Sequence, residues 1–152
     1  MMRSEANIDI VKNFMIALDN NEQDQWGDYL ADDFTFSGWT PQPLVKSDFL
    51  QVLAGLKEGL PGLIFNLHNV REDGDKVLGT WQVVGYQSDS FNLPALGLPP
   101  IPQMARSVSL PTEDVTYVVE NGHIVRIAVQ PNRNGGIKGL LRQLGIEAQI
   151  VQ

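Results

Sequence analysis

Apolar residues recur at spacings of three and four through the first third of the chain, and at spacings of two through much of the rest. Ile8, Val11, Met15 and Leu18 form one helical stripe, widened by Phe14. Ser4 is its expected N-cap and Asn20-Asn21 its end. A short second helix follows, with Trp26, Tyr29 and Leu30 on one side. Phe34-Thr35-Phe36-Ser37 alternates as a strand does, and Gly38 to Pro43 turns away, carrying Trp39. The third helix is expected to start at Ser47 with Asp48 in its first turn, and to stop at Gly59 and Pro61. Its stripe is Phe49, Val52, Leu53, Leu56 and Leu60.

The pattern then turns to β. Leu63 to Arg71 and Val77 to Tyr86 flank the turn signal Glu72-Asp73-Gly74-Asp75. Val108 to Val119 and Ile124 to Gln130 flank Asn121-Gly122, whose residue types suit the positive φ angles of a type I′ turn. Pro131 ends the pairing, Gly135-Gly136 is a hinge, and Ile137, Leu140, Leu141 and Leu144 make a last amphipathic helix closed by Gly145. Helices followed by strands, with no repeat or linker, predict one α+β domain over residues 1–152. Between the hairpins lies LPALGLPPIP, Leu93 to Pro102, an apolar loop whose four prolines forbid a helix or central strand. An apolar loop of this length covers a ligand cavity, a partner subunit or the protein's own core.

The net charge of −7 argues against nucleic-acid binding and against an anionic membrane surface. With no cysteine, disulfides, thiolate metal sites and cysteine nucleophiles are excluded. His68 and His123 stand in no metal-ligand spacing, and no phosphate-binding or dinucleotide-binding glycine pattern occurs, so no metal and no cofactor is expected. MMRSEANIDI has neither an apolar h-region nor a cleavage site, and a cytoplasmic location is expected.

Several segments carry a resemblance. IVKNFMIALDNNEQDQWGDYLADDFTF, SDFLQVLAGLKEGLPGLIF, EDGDKV, the loop containing GLPP, and SVSLPTEDVTYVVENGHIV follow one another in the order seen in the SnoaL-like polyketide cyclase family. That family lies within the nuclear transport factor 2-like (ketosteroid isomerase-like) superfamily. The resemblance covers roughly Ile8 to Leu144 and implies a cone-shaped fold. In such a fold a curved antiparallel sheet wraps around N-terminal helices and encloses an apolar cavity. It implies a homodimer formed through the sheet and a small, mostly apolar, carbonyl-type ligand. It also implies acid/base chemistry of the aldol cyclase or isomerase type, using a carboxylate on the strand after the Asn-Gly turn. Here that stretch reads Arg126-Ile127-Ala128-Val129-Gln130-Pro131-Asn132, without an acid. A non-catalytic binding protein and a dimeric interaction module of the same fold are the alternatives.

The candidate acid/base groups are therefore Asp114 and His68. Asp114, in LPTEDVTYVV, either faces inward, where desolvation would raise its pKa, or points outward beside a bulge at Pro111. His68, mid-strand in FNLHNV, either titrates in the cavity or lies on the solvent or dimer face. His123 follows the Asn-Gly turn and is expected to be exposed. Trp39, Trp81 and Tyr86 are candidate ligand-lining residues, although period-two parity places Trp81 and Tyr86 on opposite faces. Arg106 could clamp a carboxylate or enolate, or pair with Asp89 or Asp114. Gln130 and Asn132 could orient a carbonyl but cannot act as general bases.

Overall fold

The structure, a computed structural model, describes residues 6–146. The expected cap at Ser4 lies outside them. Helix α1 runs from Asn7 to Asp19 and buries Ile10, Val11, Phe14, Met15, Ala17 and Leu18, the face that the spacing predicts. Helix α2, Gln23–Trp26, passes through a 3-10 turn at Gly27–Tyr29 into strand β1, Leu30–Ser37. The strand is thus longer than the alternation Phe34–Ser37 suggests. Strand β2, Leu44–Val45, leads directly into helix α3, Lys46–Gly59. Val45 is the N-cap, so Ser47 lies inside the helix and does not cap it.

Three of the four expected β runs are broken. Leu63 to Leu67 makes only an isolated bridge, Ile64 to Val84, before strand β3 begins at His68 and ends at Asp73. Val77 to Tyr86 divides into β4, Lys76–Trp81, and β5, Val84–Tyr86. At the break, the Gln82 N–H donates to the Phe65 carbonyl at 2.8 Å. Val108 to Val119 divides into β6, Ser107–Ser109, and β7, Glu113–Glu120, on either side of Pro111. Strand β8, His123–Val129, returns from the Asn121-Gly122 turn, and α4 is Gly136–Gln143.

The main sheet has the order β2-β1-β8-β7-β4-β3, with β5 and β6 forming a separate pair. All pairings are antiparallel except β1 with β8, which run parallel through Ser37 and Ala128. One face of the curved sheet packs on α1 and α3, and Val77, Val115, Tyr117, Ile127 and Phe36 on it are buried. No helix among the described residues is long and apolar enough to cross a membrane.

The apolar loop covers the protein's own core. Leu93, Leu96 and Ile101 are buried, while the prolines at 94, 99, 100 and 102 face outward. The loop reaches the helix because α3 is flat there. A Cβ on Gly55 would lie 2.3 Å from the Asn92 carbonyl oxygen, and one on Gly59 would lie 2.2 Å from the Phe91 ring. Gln87, wholly buried, closes the loop base. Its Nε2 donates to the Asp89 and Pro102 carbonyls, at 3.0 and 2.8 Å, and its Oε1 accepts from the Met104 N–H at 2.8 Å. A side-chain amide thus does at the loop base what a strand partner would do.

Candidate functional site

The C-terminal ends of β1, β4 and β8 and the N-terminal end of β7 meet at one end of the sheet. Alternation along β7 is strict: Glu113, Val115, Tyr117 and Val119 are buried, while Asp114 and Glu120 are exposed. The parity that makes Val115, Tyr117 and Val119 core residues carries Glu113 inward with them. Asp114, the acid singled out from the sequence, lies on the outer face, where its Oδ1 accepts from the Thr80 hydroxyl at 3.4 Å.

Among the described residues Glu113 is the one buried carboxylate. Burying an ionised carboxylate is expensive unless hydrogen bonds replace its water. Here each oxygen receives one: the Trp39 Nε1–H donates to Oε1 at 2.9 Å and the Asn132 backbone N–H to Oε2 at 2.8 Å. Trp39 is brought there by the turn after β1, and Asn132 by the turn after β8. The Asn132 side chain itself is exposed and accepts from the Asn134 N–H at 3.0 Å, shaping that turn. Backbone then closes over the carboxylate. A Cβ at Gly135 would lie 2.7 Å from Glu113 Oε2, and Gly136, at φ +67°, rests its Cα side on the Trp39 ring. Beyond the two glycines, Ile137, Leu140 and Leu141 of α4 are buried. Gln143 fastens the helix to β6, its Oε1 accepting from the Ser109 N–H at 2.7 Å and its Nε2 donating to the Ser109 carbonyl at 2.8 Å.

Aromatic rings fill the space inside the mouth. Trp39 and Trp81 meet edge to face at 5.6 Å, Phe65 lies 4.9 Å from Trp81, and Phe36 packs against both Trp39 and Phe49. Deeper in, the Trp81 Nε1–H donates to the Tyr117 hydroxyl at 2.7 Å. Burial pushes the Tyr117 hydroxyl far above its ordinary pKa, so it remains a neutral phenol.

The candidates read from the sequence divide into two groups. Trp39 and Trp81 lie inside, beside Glu113, whereas Tyr86 is half exposed, as the parity argument requires. His68 and Asp114 share a cross-strand row on the outer face, on either side of Thr80. His68 is exposed, its Nδ1 2.8 Å from the Asn66 carbonyl oxygen, because β3 begins only there and turns that residue outward. Arg106 is exposed and its guanidinium lies beside Gly145, away from Asp89 and Asp114. Gln130 is exposed past the end of β8, and His123 is exposed as expected. Neither Asp114 nor His68 can therefore serve a site inside the cone. Glu113 was legible through parity alone, since it stands two residues before Val115 on the core face. No group of three or more possible metal ligands occurs among the described residues.

The same fold occurs in solved structures of low sequence identity. A SnoaL-like polyketide cyclase from Agrobacterium tumefaciens is 18% identical with a TM-score of 0.62, covering 83% of this chain and 91% of that one. An M. tuberculosis LEH-like epoxide hydrolase is 20% identical with a TM-score of 0.63, covering 91% of both chains. A nuclear transport factor 2-like protein of unknown function from Cytophaga hutchinsonii is 18% identical, TM-score 0.55, covering 84% of this chain and 92% of that one. No curated protein matches. A sheet curved around α1 and α3, with one end closed by the turns after β1 and β8, is the nuclear transport factor 2-like architecture. The SnoaL-like domain model matches residues 11–127, and the chain belongs to the SnoaL-like domain family.

Proposed function

We propose that the chain binds a small, mostly apolar, carbonyl-bearing molecule at the mouth of the cone and moves a proton on it through Glu113. The observation that carries this reading is Glu113 itself, a buried carboxylate held by two N–H donors among aromatic rings. A packed interior needs no acid, and a positioned carboxylate in apolar surroundings is what proton abstraction beside a carbonyl requires. The glycines at 135 and 136 give the covering segment the freedom to lift as a ligand enters. Glu113 would then take a proton from the carbon next to the carbonyl, breaking the C–H bond and leaving an enolate. The enolate carbon can attack a second carbonyl in the same molecule or be reprotonated elsewhere, with Glu113 returning the proton in either case.

An aryl ketone such as 1-indanone tests this in deuterium oxide. Saturable quenching of tryptophan fluorescence is expected, together with protein-dependent exchange of the α-hydrogens. Glu113→Gln, which keeps the side chain's size and one of its two acceptor oxygens, should slow that exchange about a hundredfold. Equal exchange by parent and variant removes the role, and binding without exchange leaves a non-catalytic binding protein.

A second reading concerns assembly and is compatible with the first. On the outer sheet face Ser37, Ala128, Thr116 and Leu78 form the uncharged, partly buried part of a cross-strand row that ends at the exposed Arg71 of the edge strand. A two-fold axis through that uncharged part would set it against itself without like-charge contact, giving a homodimer through the sheet. Sedimentation should then show a dimer for the parent and a monomer for Thr116→Arg, which places two cations at the axis. A monomeric parent at micromolar concentration counts against the dimer.

A further inference from the structure

On the flank of the molecule, away from Glu113, α1 lies along the edge strand β3 and is tied to that side of the sheet near both ends. The Ile8 N–H donates to Glu72 Oε1 at 2.9 Å, and Asp19 Oδ1 accepts from the Phe65 N–H at 3.0 Å. Between the ties is a cleft of about 340 Å³. Met15 and Ile16 line it from the helix, Leu67 and Val70 from the strand side, with Lys12 and Asp19 at its two ends. Ile16 is 55% exposed there, one of few large apolar side chains so displayed among the described residues.

Neither end charge is held in a salt bridge among the described residues. Asp19 has no cation within 4 Å among the described residues, and neither does Lys12 have an anion. Lys57, the nearest cation to Asp19, is buried and donates instead to the carbonyl oxygens of Asp19, at 3.3 Å, and of Leu63. Partial burial raises the Asp19 carboxyl above its ordinary range, against the lowering influence of the Phe65 N–H and then of Lys57. Burial also lowers the Lys57 ammonium, against the raising influence of Asp19. Asp19 is the last residue of α1, where the negative end of the helix dipole adds to its attraction for a cation. Lys12 stands seven residues earlier on the same face, two turns or about 10 Å away.

We propose that this cleft binds a zwitterion whose ammonium and carboxylate are about 10 Å apart across an apolar span. The ammonium would sit on Asp19, the carboxylate on Lys12, and the span on Ile16, Leu67 and Val70. A straight-chain ω-amino acid and a short extended peptide with apolar side chains both offer that chemistry, a tripeptide having the right length. The site is separate from Glu113 and stands or falls independently of the proposed chemistry.

The experiment is a methyl-NMR titration of the full chain with 8-aminooctanoate and with trivaline, using octylammonium and octanoate as single-charge controls. Whichever zwitterion is the better match, the methyl signals of Ile16, Leu67 and Val70 should shift saturably, and each control should bind several-fold more weakly. Asp19→Asn, which keeps an acceptor for the Phe65 N–H, should weaken zwitterion binding about tenfold. Lys12→Gln, on the exposed surface, should weaken it about threefold. Absence of shifts with both zwitterions overturns the proposal. So does octylammonium or octanoate binding as tightly as the zwitterions, or affinity unmoved by both substitutions.

Discussion

Gly38→Ala is expected to lower the free energy of unfolding by about 4 kcal/mol or more, a large share of the roughly 5–15 kcal/mol available to such a domain. Gly38 follows β1 at φ +113°, a backbone angle that an alanine tolerates only at a cost on the order of 1–3 kcal/mol. Strain is the smaller part. A Cβ there would lie 2.1 Å from the Val129 carbonyl oxygen and 2.9 Å from its carbon, so backbone has to move. That backbone is pinned from both sides, by the parallel pairing of Ser37 with Ala128 and by the antiparallel pairing of Val129 with Val115. Trp39 is the next residue, so the shift would also loosen the indole that holds Glu113. Urea unfolding measures the loss, and Gly122→Ala is the control. Gly122 also has positive φ, +81°, but its Cβ would meet open space, and a cost of about 1 kcal/mol is expected. Equal losses for the two substitutions would show that crowding against Val129 is not the decisive term.

The same junction shows how far the sequence could be read. The stripes of α1 and α3 were legible because a helical face is set by local spacing. The turns at Gly74 and at Asn121-Gly122 were legible because positive φ selects residue type, and all three residues have it. The parallel pairing of β1 with β8 was not, since it joins segments some ninety residues apart and leaves no periodic signature. Nor were the breaks inside the long β runs. Val83 is apolar and continues the pattern, yet pairing is interrupted because the Gln82 N–H turns to Phe65. In the candidate site the lesson is sharper. Asp114 stands out as an acid within a strand, although the register of Val115, Tyr117 and Val119 selects its neighbour Glu113. That Asp19 forms no salt bridge depends on where Lys57 points, and spacing carries no information about that.

Trp81→Ala is expected to cost about 5 kcal/mol, summing a cavity contribution and the loss of a buried hydrogen bond. Trp81 is 1% exposed and its ring touches Phe36, Trp39, Phe65 and Tyr117 at centroid distances of 6.2, 5.6, 4.9 and 6.5 Å. Its Nε1–H is also the hydrogen-bond partner of a wholly buried tyrosine hydroxyl. Alanine removes both contributions, while Trp81→Phe removes mainly the second. A double-mutant cycle with Tyr117→Phe should therefore show strong coupling: once the indole N–H has gone, deleting the hydroxyl should cost little or restore stability. The alanine variant should further leave an apolar hollow walled by rings, which stays dry and takes up a molecule of matching shape. Millimolar indole is accordingly expected to raise the melting temperature of Trp81→Ala and leave that of the parent unchanged. If indole has no effect on the variant, the neighbouring rings have collapsed into the space. If it restores stability, the aromatic rings of this cone occupy by intramolecular packing a volume that the surrounding sheet and helices can hold open, which is the room a carbonyl ligand beside Glu113 would need.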